Sequence, residues 1–190
     1  MTPLVLAAGQ GRRFGDGSKL LADLGGRSVL GRVFDRLAEA ELTAGLVALP
    51  DDARGDALHA EIPRGFEALR LDQSHVGMGL SMAALAGRVP KGNGALVVLG
   101  DQPLLTARAL RDLLDCAESG EIARLCHRGA AGHPVLFPAT LVPELTRLSG
   151  DEGARGVLKQ HGYRAVEVDA PEVLCDVDTP EALEALRAHV

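Results

Sequence analysis

Three basic side chains share a short glycine-rich segment near the N-terminus of this chain. An apolar run, Leu4–Ala8, leads directly into the segment Gly9–Gly15, which contains Arg12 and Arg13, and Lys19 follows shortly afterwards. Glycine lets the backbone take a positive φ and approach a ligand closely, so that N–H groups can point at anionic oxygens. The basic side chains add positive charge to the same segment. The combination predicts a loop that binds phosphate groups.

One carboxylate follows the most apolar run of the sequence. Asp101 comes directly after Ala95–Leu99 and Gly100. Ligands of open α/β sheets bind at the carboxyl ends of the strands, where Asp101 and the loop from Gly9 would meet. Mg²⁺ is typically held by one or two carboxylates together with substrate phosphates. The two segments therefore predict nucleotide chemistry at one edge of a sheet.

Apolar runs and amphipathic helical patterns alternate along the chain, and these elements must position the site. Alternation of this kind favours an α/β fold with a mostly parallel sheet that is covered on both faces. We expect a single domain over residues 1–190. The predicted strands are Leu4–Ala8, Leu46–Leu49, Phe66–Leu71, Ala95–Leu99 and Tyr163–Val168, with an irregular or antiparallel part formed by Ile122–His127 and Pro134–Phe137.

Helix starts are indicated by capping residues. Ser28, Thr106 and Thr179 are expected N-caps, the last followed by a proline at the first helical position. A weaker helix is expected over Asp51–Glu61, and a loop over Gly77–Ser81 that enters a further helix. The last helix is expected to carry an apolar side made of Leu183, Leu186 and Val190.

Composition excludes several classes of protein. The net charge of −6 argues against a nucleic-acid-binding domain, which usually carries a basic excess. Cys116, Cys126 and Cys175 are too widely spaced for a zinc site or a disulfide framework and are expected to be buried, reduced thiols. No apolar run approaches the ~20 residues that span a bilayer. With the loop so near the N-terminus we expect no signal peptide, and a cytoplasmic location.

Two other phosphate-binding motifs fit the loop incompletely. Gly9, Gly11 and Gly15 resemble a dinucleotide fingerprint with one extra residue, but the acidic residue usual at the end of the second strand is missing. The order Gly17-Ser18-Lys19-Leu20 differs from that of a nucleoside-triphosphatase P-loop.

Six segments together resemble the nucleotidyltransferases that act on molybdenum cofactor, the MobA-like NTP transferase family. The resemblance covers essentially the whole chain. Ala8 and Gln102 are more similar to the cytidylyltransferase branch than to the guanylyltransferase branch. One departure is an additional residue between Gly15 and Lys19. The matching segments, in family order, are 6–21, 77–82, 100–103, 132–137, 150–155 and 176–181.

This resemblance implies a three-layer, Rossmann-like domain of the nucleotide-diphospho-sugar transferase type. It implies Mg²⁺-dependent transfer of CMP from CTP to a molybdopterin-type cofactor with release of pyrophosphate. It further implies catalytic roles for Arg13, Lys19 and Asp101 and metal binding by Asp101 and Asp178, with Asp176 as the alternative second ligand. The nucleotide-binding residues implied are Leu6, Ala7, Ala8, Gly9, Gly11, Arg13, Lys19, Gly77 and Ser81.

The acceptor side is assigned to His133 and Arg155, and a molybdoenzyme or its chaperone is a candidate partner. His133 could instead act in acid–base chemistry, and Arg155 could instead pair with Asp151 or Glu152. His75 and His127 belong to no motif and are expected in loops or on the surface. Two other functions remain open: an NAD(P)H-dependent oxidoreductase that uses the loop as a dinucleotide site, and a non-catalytic cofactor-binding maturation protein.

Overall fold

The computed structural model describes residues 1–15, 18–72 and 77–190. Asp16, Gly17 and His75 lie outside the described residues, and so does the side chain of Arg12. Two of the three residues between Gly15 and Lys19, where the additional residue falls, thus lie outside the described part of the chain.

Seven strands form one sheet in the order β3-β2-β1-β4-β6-β5-β7. Every adjacent pair is parallel except the two that involve β6, which runs against both β4 and β5. The expected α/β class, the mostly parallel sheet and the antiparallel part are thus confirmed. The strands are β1 (Thr2–Leu6), β2 (Gly45–Pro50), β3 (Phe66–Leu71), β4 (Ala95–Leu99), β5 (Ala123–His127), β6 (Ala130–Phe137) and β7 (Arg164–Glu167).

Helices follow the strands, and three of them begin at the expected capping residues. The hydroxyls of Ser28, Thr106 and Thr179 each accept a hydrogen bond from a backbone N–H three residues later, at 3.0–3.2 Å. The helices are α1 (Val29–Glu39), α2 (Ala53–His59), α3 (Met78–Ala86), α4 (Ala107–Leu114), α5 (Val142–Leu145), α6 (Arg155–His161) and α7 (Pro180–Leu186).

Alternate strand residues face two cores, one on each side of the sheet. Val5 packs with α1, α4 and α7, whereas its neighbour Leu4 packs with α3, α5 and α6. Successive side chains of a strand point to opposite faces, so a strand covered on both sides reads as a continuous apolar run. This arrangement explains the apolar runs from which the strands were predicted.

Several sequence expectations are wrong in detail. Helix α3 begins at Met78, so the expected loop over Gly77–Ser81 is the first turn of a helix. Helix α7 ends at Leu186 and a 3-10 turn follows, which leaves Val190 49% exposed rather than on an apolar helix side. Cys175 is exposed rather than buried and lies between a 3-10 turn and α7, whereas Cys116 and Cys126 are buried free thiols as expected.

Strands β1 and β4 bring the two motifs together. The chain moves from β1 outward to β2 and β3 and then crosses back to β4 on the other side of β1. Leu6 and Leu99 end these two strands in register. The crevice between their carboxyl ends is the topological switch point at which α/β sheets bind ligands. Among the described residues, no helix is long and apolar enough to cross a membrane.

Candidate functional site

The glycine-rich loop leaves β1 and is held from two sides. Gly11 has a φ of 58°, a left-handed conformation that strains residues with a side chain, and it caps the short 3-10 turn Arg12–Phe14. The Arg54 guanidinium donates a hydrogen bond to the carbonyl of Gln10 at 3.2 Å, and Asp52 binds the same guanidinium. The start of α2 therefore supports the loop.

Lys19 lies between two carboxylates from distant parts of the chain. Its Nζ donates to Asp101 Oδ2 at 2.6 Å and to Asp178 Oδ1 at 2.9 Å. Arg13 forms an ion pair with the other oxygen of Asp178 at 2.6 Å. Lys19 is only 12% exposed, whereas Arg13 is 74% exposed. The two cations and two carboxylates form one charged cluster at the switch point.

A third carboxylate comes from the same C-terminal segment. The Val177 N–H donates to the carbonyl of Asp101 at 2.9 Å, and the Val177 side chain is fully buried. Because side chains alternate along an extended backbone, Asp176 and Asp178 lie on the side away from the core. Asp101, Asp176 and Asp178 each offer a carboxylate oxygen within 4.8 Å of the others.

These carboxylates fit a divalent cation. Hard cations such as Mg²⁺ prefer oxygen ligands, and all three side chains supply them. The Oδ1 atom of Asp101 is buried and has no hydrogen-bond partner among the described residues. Buried carboxylate oxygens are normally bonded, so this atom is free to act as a ligand. The sequence motifs favour Asp178 over Asp176 as the second ligand, whereas the geometry brings both carboxylates to the cluster.

The charges of the cluster shift each other's protonation. Burial raises the pKa of Asp101, against the opposing charge of Lys19. Burial alone would lower the pKa of Lys19, but Asp101 and Asp178 outweigh it and the pKa is raised. At Asp178, burial alone would raise the pKa, but the hydrogen bond from Lys19 outweighs it and the pKa is lowered. We take Lys19 to be protonated at neutral pH, since it contacts two carboxylates.

A cleft of about 620 Å³ opens over this cluster. Most of the residues implied by the family resemblance line it. Ala7 and Gly11 do not: the Ala7 N–H donates to Ala48 in the neighbouring strand, and Gly11 lies on a smaller cavity beside Arg54. The lining residues are Leu6, Ala8, Gly9, Gln10, Arg13, Lys19, Gly77, Met78, Ser81, Leu99, Asp101, Asp151, Asp176 and Asp178.

The glycines at the start of α3 are required by chain packing. A Cβ on Gly77 would lie 2.8 Å from the Gly150 carbonyl, and a Cβ on Gly79 would lie 2.6 Å from the Ser149 carbonyl. The Gly79 N–H also donates to the Gly150 carbonyl. These glycines therefore allow close contact with segment 149–151, which brings Asp151 to the cleft that Gly77 also lines.

His133 and Arg155 line a second cavity of about 100 Å³. Arg124 and Glu152 also reach it, and Met78 lines both this cavity and the cleft. Burial, with a contribution from the charge of Arg124, lowers the pKa of His133 to about 4. The imidazole is therefore neutral at physiological pH and can both donate and accept a hydrogen bond. His127 lies on β5 with Nδ1 2.9 Å from the Val168 carbonyl, a structural contact.

Comparison with known proteins identifies the family. The MobA-like NTP transferase domain matches residues 3–166. The chain belongs to this family. The resemblance drawn from the six segments is thereby confirmed, and solved nucleotidyltransferases share the fold, as expected for the nucleotide-diphospho-sugar transferase type.

Relatives of this MobA-like chain carry different activities in their names. Nicotine blue oxidoreductase of Paenarthrobacter nicotinovorans is 30% identical, covering 98% of this chain and 96% of its own. Molybdenum cofactor cytidylyltransferase of Escherichia coli is 29% identical, covering 43% of this chain and 42% of its own. Rv0371c of Mycobacterium tuberculosis is 30% identical over 98% of this chain and 96% of its own, with a TM-score of 0.87, and a second structure of it is a manganese complex.

Sequence reasoning missed some residues of the MobA-like site. Gln10, Met78 and Asp151 line the cleft; each lies within one of the matching segments, but none was assigned a role in the site. The sequence could have predicted that Asp176 lies beside Asp178. In Asp-Val-Asp, a buried central valine places both acids on one side of an extended segment. Gln102 was noted only as a branch marker, yet it is 2% exposed and bonded to the C-terminal segment.

Proposed function

We propose that this protein transfers CMP from CTP to a molybdopterin-type cofactor and releases pyrophosphate. The observation that carries the proposal is the cluster at the switch point, where Lys19 contacts Asp101 and Asp178 below an open cleft. A hydride transfer needs no such set of carboxylates, whereas transfer between phosphates requires charge to be neutralised. Residues 1–190 would act as one nucleotidyltransferase domain.

The metal ligands in this proposal are Asp101, Asp176 and Asp178. A bound Mg²⁺ neutralises phosphate oxygens and acts as a Lewis acid. The support is the unpartnered Oδ1 of Asp101 and the short separation of the three carboxylates. Holding the triphosphate in one orientation is the main contribution of the protein, since no covalent enzyme intermediate is required.

The phosphates would be bound by the glycine-rich loop and its cations. Arg13 is mostly exposed at the cleft and can close onto the β- and γ-phosphates. Lys19 can exchange a carboxylate for a phosphate oxygen, because its ammonium has three donors. A terminal phosphate oxygen of the acceptor attacks the α-phosphorus, and the bond to the β-phosphate oxygen breaks. The nucleotide-binding residues at the cleft are Leu6, Ala8, Gly9, Gly77 and Ser81 together with the two cations, and Ala7 and Gly11 would support the loop from outside the cleft.

The acceptor would reach the cleft from the second cavity. His133 offers a neutral imidazole and Arg155 a guanidinium beside largely apolar walls, a combination suited to a heterocycle that carries a phosphate. Met78 separates this cavity from the nucleotide side. CTP is favoured as donor by the resemblance at Ala8 and Gln102. Delivery of the product to a molybdoenzyme or its chaperone, and a cytoplasmic location where CTP is present, belong to the same proposal.

An NAD(P)H-dependent oxidoreductase is the second candidate. It is favoured by one observation, the likeness to nicotine blue oxidoreductase over nearly the whole chain. In that case the glycine-rich loop would hold the pyrophosphate of the dinucleotide, and the carboxylates would have no part in the reaction.

One assay separates the two candidates. Purified protein is incubated with Mg²⁺, a molybdopterin-type cofactor and CTP, GTP or ATP in parallel, and pyrophosphate is measured. We expect release with CTP. Pyrophosphate release with GTP or ATP instead would show that the donor nucleotide carries a different base. No release with any of the three nucleotides, together with oxidation of NAD(P)H in the presence of a quinonoid dye, would favour the oxidoreductase.

A further inference from the structure

Gln102 is a buried polar side chain next to the candidate metal ligands. It is 2% exposed, and its Nε2 donates a hydrogen bond to the Leu174 carbonyl at 3.0 Å. Its Oε1 is buried without a hydrogen-bond partner among the described residues. Burying an amide with one end unpaired costs free energy, so this side chain is retained at a cost to stability.

Among the described residues, the hydrogen bond from Gln102 is one of two that join its loop to the C-terminal segment. The other runs from the Val177 N–H to the Asp101 carbonyl. Between them lie Cys175 and Asp176, and Asp178 follows directly. This segment follows a 3-10 turn that ends at Leu174 and precedes α7, so no helix or strand fixes residues 175–178. Their position relative to Asp101 depends on these contacts and on the buried Val177 side chain.

We propose that Gln102 is a positioning residue for the metal site. By holding the Leu174 carbonyl, it keeps Asp176 and Asp178 within reach of Asp101 without touching metal or substrate itself. The inference rests on the proposed metal-dependent function. Outer contacts of this kind typically change metal affinity 10–100-fold when they are removed.

The substitution Gln102→Met tests the proposal, because methionine keeps the length of the side chain and removes the donor. We expect Mn²⁺ affinity, measured by electron paramagnetic resonance titration in the presence of CTP, to fall by at least ~10-fold. CTP binding in EDTA should stay within about twofold. The matched control is Gln160→Met, at an exposed glutamine of α6, which should leave both values unchanged.

Cys175 provides a second readout within the segment itself. It is exposed, whereas Cys116 and Cys126 are buried, so a thiol reagent should label Cys175 selectively. Loss of the Gln102–Leu174 hydrogen bond should raise the rate at which Cys175 is labelled in EDTA. The rate is measured across pH and compared at high pH, where it no longer rises, so that a change in thiol pKa is separated from a change in access. Cys175→Ser identifies the labelled site.

The outcomes distinguish this inference from the proposed function. Unchanged Mn²⁺ affinity and unchanged labelling in a folded Gln102→Met protein would overturn the positioning role while the wild type still binds Mn²⁺ and releases pyrophosphate. Loss of metal-free CTP binding in parallel with metal binding would also overturn it, because the effect would then be general. A wild-type protein that binds no Mn²⁺ in the presence of CTP would instead contradict the proposed function.

Discussion

The side-chain nitrogen of Lys19 lies 2.6 Å from Asp101 Oδ2, although 82 positions separate the two residues along the chain. The same ammonium lies 2.9 Å from Asp178. Carboxylates this close to one another repel, and Lys19 offsets that repulsion with a charge that belongs to the protein. A divalent cation that binds Asp101 and Asp178 must therefore compete with Lys19 for the negative charge of the same two carboxylates.

Replacing Lys19 by methionine should separate these two effects. We expect Lys19→Met to bind Mn²⁺ more tightly than wild type in the absence of nucleotide, because the competing ammonium is gone. Pyrophosphate release should fall at least ~100-fold, as for loss of one donor that stabilises developing charge. Lys91→Met, at an exposed lysine, is the control. Weaker Mn²⁺ binding by folded Lys19→Met would contradict the competition.

Asp101→Asn should abolish turnover and leave the fold intact. The amide keeps the shape of the side chain but loses the charge that binds the cation, and several kcal/mol of lost stabilisation correspond to a fall of ~10³-fold or more in rate. Pyrophosphate release is measured at increasing Mg²⁺, with circular dichroism as the test of folding. Chelation of divalent cations should inactivate the wild type to the same degree. An active variant with normal Mg²⁺ dependence would exclude Asp101 as a ligand.

Arg13→Ala should weaken binding of the triphosphate more than binding of the nucleoside. Arg13 is exposed and contacts only Asp178 among the described residues, so its loss should cost little folding free energy. Loss of a charge-assisted hydrogen bond to phosphate corresponds to a rise in the Kd for CTP of about tenfold. Calorimetric titration with CTP and with cytidine provides the comparison. Equal losses for both ligands would remove the phosphate role.

Stability should decline as the pH falls through the range set by His133. The pKa of His133 is about 4 in the folded protein, below the ordinary value of 6.5. Between these two values the imidazole is protonated in the unfolded chain and neutral in the native protein, which favours unfolding. The free energy of unfolding therefore has its full value with respect to His133 above pH 6.5, and this part of it is lost as the pH falls toward 4. Between pH 7.5 and 4.5 it should amount to roughly 2–3 kcal/mol of unfolding free energy.

Urea unfolding of wild type and His133→Gln at these two pH values measures that contribution. The free-energy difference between the two proteins should shift in favour of the variant at pH 4.5. A difference that is the same at both pH values would mean that His133 titrates normally in the folded state.

The sequence predicted the two ends of the site because each follows a strong local signal. A continuous apolar run ends at the glycine-rich loop, and another ends at Asp101. Once a parallel sheet is assumed, both must lie at one edge. Strands β3 and β4 have the predicted bounds, whereas β1 ends at Leu6 rather than at Ala8, because the chain leaves the sheet as it enters the loop.

Contacts that depend on the return of the C-terminal segment could not be predicted in the same way. The bond from Gln102 to Leu174 and the contact of Gly77 with segment 149–151 join residues far apart in sequence. The periodic pattern of apolar residues within a helix or strand does not predict contacts between such distant segments. Exposure of Cys175 belongs to the same segment, which lies in no helix or strand and therefore has no pattern from which burial could be predicted.

The reversed direction of β6 has a consequence for how this scaffold can diversify. Val97 of β4 pairs with Val135 of β6. Continuing that register places His133 beside Leu99, at the carboxyl end of β4. In the proposed reaction, the parallel strands would thus serve the nucleotide donor, and β6, which runs in the opposite direction, would serve the acceptor. Substitutions on β6 would then change the molecule that is modified, while the parallel strands would keep the residues of the nucleotidyl transfer.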